Sequence, residues 1–106
     1  MKAATFNQSD GLKVVEIDEE DKLKGMQKAV GGYIEHFSVD FLAQVGIDAW
    51  CNDEGRVNGL PYSFTVSMNG YPVDIFGTVL FTRTDREGET QALRDGDVEL
   101  LCKCLA

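Results

Sequence analysis

The sharpest hydrophobic pattern in the chain runs from Tyr62 to Phe81. Tyr62, Phe64, Val66 and Met68 alternate with Ser63, Thr65 and Ser67, and Asn69-Gly70 follows directly. Successive side chains of a strand point to opposite faces, so this alternation predicts a strand. Asn-Gly is the favoured pair for a two-residue hairpin turn, because both residues tolerate positive φ. The return strand carries Tyr71, Val73, Ile75, Gly77, Val79 and Phe81 on one face. A two-residue turn then sets Met68 opposite Tyr71, Val66 opposite Val73 and Phe64 opposite Ile75, and a one-residue slip would expose that whole face. Gly77 falls opposite Tyr62 and marks a bulge or a close backbone approach. The other face, with Asp74, Phe76, Thr78 and Leu80, is too apolar to be fully solvated. Helices or a second subunit must cover it, and a homo-oligomer, as a dimer, is the expectation.

The remaining elements are weaker. Residues 1–11 are polar, end in Asp10-Gly11 and read as a flexible N-terminal arm, leaving 12–106 as a single domain. Leu12 to Ile17, with Val14 and Val15 at its centre, is a strand. The acidic run Asp18-Glu19-Glu20-Asp21 suits a helix start, where carboxylates accept from free backbone N–H groups and complement the dipole. Leu23, Met26 and Val30 make one apolar stripe, and Gly31-Gly32 ends the helix. Tyr33 to Ser38 alternates as a strand, Asp40 to Gly46 is a helical turn or a loop, and Ile47 to Asn52 is a strand holding Trp50. Two turn signals, Asp53-Glu54-Gly55 and Asn58-Gly59, with Pro61 behind them, make a shaped loop. Thr82 to Thr90 reads as a polar surface loop. A final helix capped by Asp95 or Asp97 puts Val98, Leu101, Cys102 and Leu105 on one side; a strand through Val98, Leu100, Cys102 and Cys104 fits the same residues. The helix is preferred because β-branched residues are scarce there. The architecture is α+β: an antiparallel sheet of about five strands packed with one or two helices.

Composition narrows the function. A chain of 106 residues with 43% hydrophobic residues is one globular domain with a modest core. No apolar run approaches the roughly 20 residues of a membrane span, and the N-terminus lacks a signal-peptide core, so a cytoplasmic protein is expected. The net charge of −8 disfavours direct nucleic-acid binding and anionic membranes, and it permits docking on a basic protein surface. Three cysteines, Cys51, Cys102 and Cys104, do not make a disulfide framework, and Cys102-Lys103-Cys104 with one histidine does not make a zinc site. They are expected as buried or half-buried free thiols.

Reactive chemistry is hard to assemble from these residues. No nucleophile elbow, phosphate loop or metalloprotease helix is present, and any histidine-based device would have to use His36, which has no partner in its sequence context. No cofactor is implied, no metal ligands are assigned, and the chain is expected not to be an enzyme.

Four segments carry a resemblance: Val30-Gly31-Gly32-Tyr33-Ile34-Glu35, Cys51-Asn52-Asp53-Glu54-Gly55-Arg56, Gly59-Leu60-Pro61 and Asp74-Ile75-Phe76-Gly77-Thr78. In order and spacing the chain resembles a domain-of-unknown-function family of small proteins from phages, plasmids and other mobile elements, over roughly residues 12 to 83. Ser63-Phe64 stands where relatives carry an Asn-Arg pair, so an anion grip by that Arg is not expected here. The resemblance implies a mobile-element accessory protein, a class that often counters host defence by binding. On that footing the expected function is sequestration of a nucleotide-like immune signal. The expected ligand-binding residues are Gly31, Gly32, Tyr33, Asn52, Asp53, Arg56, Asn58, Gly59, Tyr62 and Thr78. Aromatic rings would stack on a base, turn amides would hold phosphate and Arg56 would be the nearest cation. The alternatives are an acidic inhibitor of a host defence or nucleic-acid-handling protein, and a structural or regulatory module.

Overall fold

Three adjacent strands whose inward residues are mostly apolar build the centre of the molecule. The computed structural model describes residues 1–55 and 58–105. Strand β1 (Lys2–Asn7) turns at Asp10 into β2 (Gly11–Glu16), pairing Asn7 with Gly11 and Lys2 with Glu16. Residues 1–11, expected as a loose arm, therefore supply a sheet strand. Ala3, Ala4 and Phe6 are buried there among Lys2, Thr5 and Asn7, and so short and irregular an apolar pattern is easily lost beside a polar turn. After a single 3-10 turn comes helix α1 (Lys22–Val30), then β3 (Ile34–Phe37), α2 (Asp40–Gln44) and β4 (Ile47–Asn52). The hairpin β5 (Tyr62–Met68) and β6 (Tyr71–Phe76) follows, then β7 (Val79–Thr84), the short β8 (Thr90–Gln91) and α3 (Asp97–Leu105).

The main sheet is antiparallel in the order β2-β1-β7-β4-β3, with β8 on the far end of β7; β5 and β6 form a separate two-stranded sheet. On one face Ala4, Phe6, Ile47, Ala49, Val79 and Phe81 pack against Phe64, Val66 and Ile75 of the hairpin, Leu42 of α2 and Leu101 of α3. On the other face Ala3, Ile17 and Leu80 lie beneath Met26 and Val30 of α1, with Trp50 beside them. Burial of residues of this size, at about 1.5–3 kcal/mol each, is the main stabilising contribution. Among the described residues no helix is long and apolar enough to cross a membrane.

The acidic run works as expected. Asp18 accepts from Glu20 N–H, Asp21 caps α1 through Lys24 N–H, and Gly31 at φ +79° closes the helix onto the Gln27 carbonyl. Leu23 departs from the stripe and is exposed, while Met26 and Val30 are buried. The predicted hairpin register is observed at all three pairs. The return strand does not continue to Phe81, however. A register shift between Tyr62 and Phe64 sets Tyr62 opposite Phe76, and the chain turns at Gly77 into the other sheet. Leu80 consequently lies under α1, so this part of the supposed second face is covered by the chain itself.

Thr82 to Thr90, expected as a loop, is largely a hairpin. Arg83 pairs with Gln91 and Thr84 with Thr90 around a turn organised by Asp85, which accepts from Glu87 N–H and Glu89 N–H. The last element is a helix. Leu101 is its buried apolar residue and Asp97 is buried at its start; Cys102 leaves the expected stripe and is exposed.

Candidate functional site

In the loop between β4 and β5 the described residues are held by backbone bonds and by the Asn52 side chain. Asn52 accepts from Glu54 N–H through Oδ1 at 2.9 Å, an Asx turn, and its carbonyl accepts from Gly55 N–H. Asn58 N–H donates to the Glu54 carbonyl, Leu60 N–H to the Gly55 carbonyl, and Gly77 N–H to the Pro61 carbonyl at 2.7 Å. Gly55 lies flat against β6, where an added Cβ would come within 2.9 Å of the Phe76 carbonyl.

These bonds divide the ten expected ligand residues. Gly32, Tyr33, Asn52 and Asp53 meet at one end of the β3–β4 pair. There Asp53 N–H donates to the Tyr33 carbonyl, and the Asn52 side chain fills the space a Cβ on Gly32 would need. Gly31, Tyr62 and Thr78 meet elsewhere, with Asn7, Asp10 and Leu60, around a cleft of about 270 Å³. Asn58 and Gly59 are exposed loop positions in neither group. Arg56 lies outside the described residues.

At four of the glycine turns the amide is taken by the chain itself. Gly31 and Gly32 N–H both donate to the Gln27 carbonyl, and the amides of Gly55 and Gly77 are likewise occupied. In the cleft itself the polar groups are side chains. Asn7 Nδ2 donates to Thr78 Oγ1 at 3.1 Å, and Asp10 stands 3.8 Å from the Lys13 ammonium. The Tyr62 hydroxyl bonds Thr65 Oγ1, which donates to Asp74, and the ring meets Phe76 edge-on at 6.0 Å. The arrangement sets an aromatic ring beside the Thr78 hydroxyl and the Asn7 amide, with Gln8, Ser9 and Asp10 also at the wall, a combination suited to gripping a flat polar ring.

A second cleft, about 250 Å³, opens between β6 and the β3–β4 pair. Glu35, Asp53 and Asp74 surround it with Cys51, over an apolar floor that includes Phe37 and Ile75. Burial, then the charges of Glu35 and Asp53, push the Cys51 thiol up to about 11, so it is an inert thiol at neutral pH. Cys51 is half-buried as expected, whereas Cys102 and Cys104 are exposed on α3, contrary to expectation.

Two features escaped sequence reasoning. His36 has a partner: its Nε2 lies 3.0 Å from Asp48 Oδ1, its ring meets Trp50 edge-on at 5.0 Å, and Asp48 also accepts from Thr84. With Trp50 Nε1 donating to Thr82 Oγ1, these bonds link β3, β4 and β7 across one sheet face. That set reads as a cross-strand tie more than as a proton-transfer device. The other is a groove of about 460 Å³ beside β5, lined largely by apolar side chains that include Phe6, Phe41 and Phe64. Pairing of distant strands creates both, and no local spacing signals them.

No curated protein and no solved structure matches the chain. A family model, "Domain of unknown function (DUF3846)", matches it over residues 1–106. The four segments that carried the resemblance all lie within that match, and the chain belongs to this domain-of-unknown-function family.

Proposed function

We propose that the protein works by stoichiometric binding, holding the ring of a nucleotide-like small molecule in the cleft between Gly31, Tyr62 and Thr78. One observation carries this reading: three residues singled out in three separate segments close on one cleft of about 270 Å³. That is room for one ring system and less than a drug-sized ligand needs. The Tyr62 ring supplies a stacking surface, and Thr78 and Asn7 supply the polar edge. With the Gly31, Gly32, Gly55 and Gly77 amides occupied and the net charge at −8, the grip falls on base and sugar more than on phosphate. The biological setting is that of a mobile-element accessory protein in the bacterial cytoplasm, sequestering a host immune signal; its support is associational, the kind of element such families come from. Calorimetry with cyclic and ADP-ribose-type nucleotides tests it. One ligand per chain, lost in Tyr62→Ala, is expected; no heat with any member of the panel discards the reading.

A second reading has its own support in the acidic cleft. Glu35, Asp53 and Asp74 converge there on a chain that already carries excess negative charge. A basic side chain of a host protein would fit it, as in an inhibitor that imitates nucleic-acid charge. Affinity for such a partner should fall steeply with added salt. A complex indifferent to salt removes this reading.

A further inference from the structure

We infer that the Tyr62 cleft and the apolar groove are two lobes of one site, and that its ligand carries two ring systems joined by a polar linker, a dinucleotide being the nearest chemical class. This deepens the nucleotide-binding reading above and rests on it. The two spaces share one wall residue, Gln8, and Tyr62 lines one while Phe64 lines the other. In a regular strand residues 62 and 64 would face the same side. The register shift between them re-aims Tyr62 into the neighbouring cleft, so one strand end serves both lobes.

The wall residue the two lobes share is polar. Gln8, itself exposed, donates from Nε2 to the Ser63 carbonyl at 2.5 Å. Ser63, between Tyr62 and Phe64, is fully buried, and its hydroxyl has no hydrogen-bond partner among the described residues. A buried hydroxyl without a partner is an uncommon and costly feature. Movement of the Gln8 amide frees the Ser63 carbonyl, and Gln8 itself, for a polar linker crossing the wall. In the groove, the half-exposed Phe41 ring and Phe64 offer stacking surface for the second ring. Lys13, paired with Asp10 at the rim of the Tyr62 cleft, offsets the one carboxylate there.

The test compares a cyclic and a linear dinucleotide with the matching mononucleotide by calorimetry on the wild-type chain. The dinucleotide should bind about tenfold or more tightly than the mononucleotide, since each stacked base contributes measurably on its own. Phe41→Ala and Tyr62→Ala should each weaken the dinucleotide, while only Tyr62→Ala should weaken the mononucleotide. Both side chains are about half exposed, and circular dichroism verifies that the variants fold. Equal affinity for both ligands, or a dinucleotide insensitive to Phe41→Ala in a folded variant, overturns the two-lobe site and leaves the single-cleft reading standing. Absence of binding by every nucleotide overturns both.

Discussion

Arg83 and Asp97 meet through two parallel hydrogen bonds, Nε to Oδ2 at 2.7 Å and Nη2 to Oδ1 at 2.8 Å. The pair joins the end of β7 to the first residue of α3, with side chains only 15% and 7% exposed. Asp97 also accepts from Arg94 N–H, so the carboxylate orders the turn before the helix. Leaving Arg83 buried without its partner, as in Asp97→Ala, should cost about 3–5 kcal/mol. The double variant with Arg83→Met should cost less than the two single changes added together, as urea denaturation would measure. Full additivity would show that the two side chains are not coupled.

The same pair sets a pH dependence. The hydrogen bonds from Arg83 hold the Asp97 carboxyl below its ordinary 3.8, against the opposing effect of burial. A carboxylate depressed in the folded state stabilises fully above its unfolded pKa. It loses that contribution as pH falls through the folded value. Stability attributable to Asp97 should therefore be flat down to about pH 4 and decline below it. In Asp97→Asn the acid-limb decline should be shallower.

Asp40 holds the tip of the β5–β6 hairpin to α2. Its carboxylate accepts from Gly70 N–H, Ser67 Oγ and Asn69 N–H, which together lower its pKa. The linkage has the same sign as for Asp97: the clasp is complete above the ordinary carboxyl range and released in acid. In Asp40→Ala the amides of Asn69 and Gly70 should exchange with solvent faster, while those of β7 keep their protection. Unchanged exchange at the tip would mean that the turn needs no clasp.

Gly77 is the hinge that sends the chain from one sheet to the other. Its φ is +82°, and a Cβ there would approach Leu60 Cδ1 to 2.8 Å. Gly77→Ala meets both obstacles, whereas Gly88→Ala, at φ +83° with nothing within 4 Å, meets only the first. The conformational part costs about 1–2 kcal/mol in each, and Gly77→Ala should exceed its counterpart. It should also weaken any ligand of the adjoining cleft, which Gly77 lines. Equal losses at the two positions would remove Leu60 as an obstacle.

Cys51 and the α3 cysteines should separate in alkylation. At pH 8, iodoacetamide on native protein should modify exposed Cys102 and Cys104 well before Cys51, whose thiol is pushed up to about 11. Peptide mass spectrometry reads the order directly. Rapid labelling of Cys51 would contradict the acidic, half-buried setting of the second cleft.

Features set by residues close together in the chain were legible from the amino-acid order. The Asn69-Gly70 turn and the alternation beside it specified three hairpin pairs, because a two-residue loop and a one-sided apolar face allow one register. Asp18, Asp21 and Gly31 marked the helix ends, because capping uses groups a few residues apart. Long-range packing settled the remainder. β1 is a strand because β2 and β7 satisfy its backbone on both sides, which its own polar composition does not announce. His36 found Asp48, and Arg83 found Asp97, through strand and helix placements no spacing encodes. Of the expected ligand residues, Gly31, Tyr62 and Thr78 converge, while Gly32, Tyr33, Asn52 and Asp53 gather elsewhere. A cleft is a property of surfaces that packing brings face to face, and its membership is settled by long-range pairing energies that the local pattern does not contain.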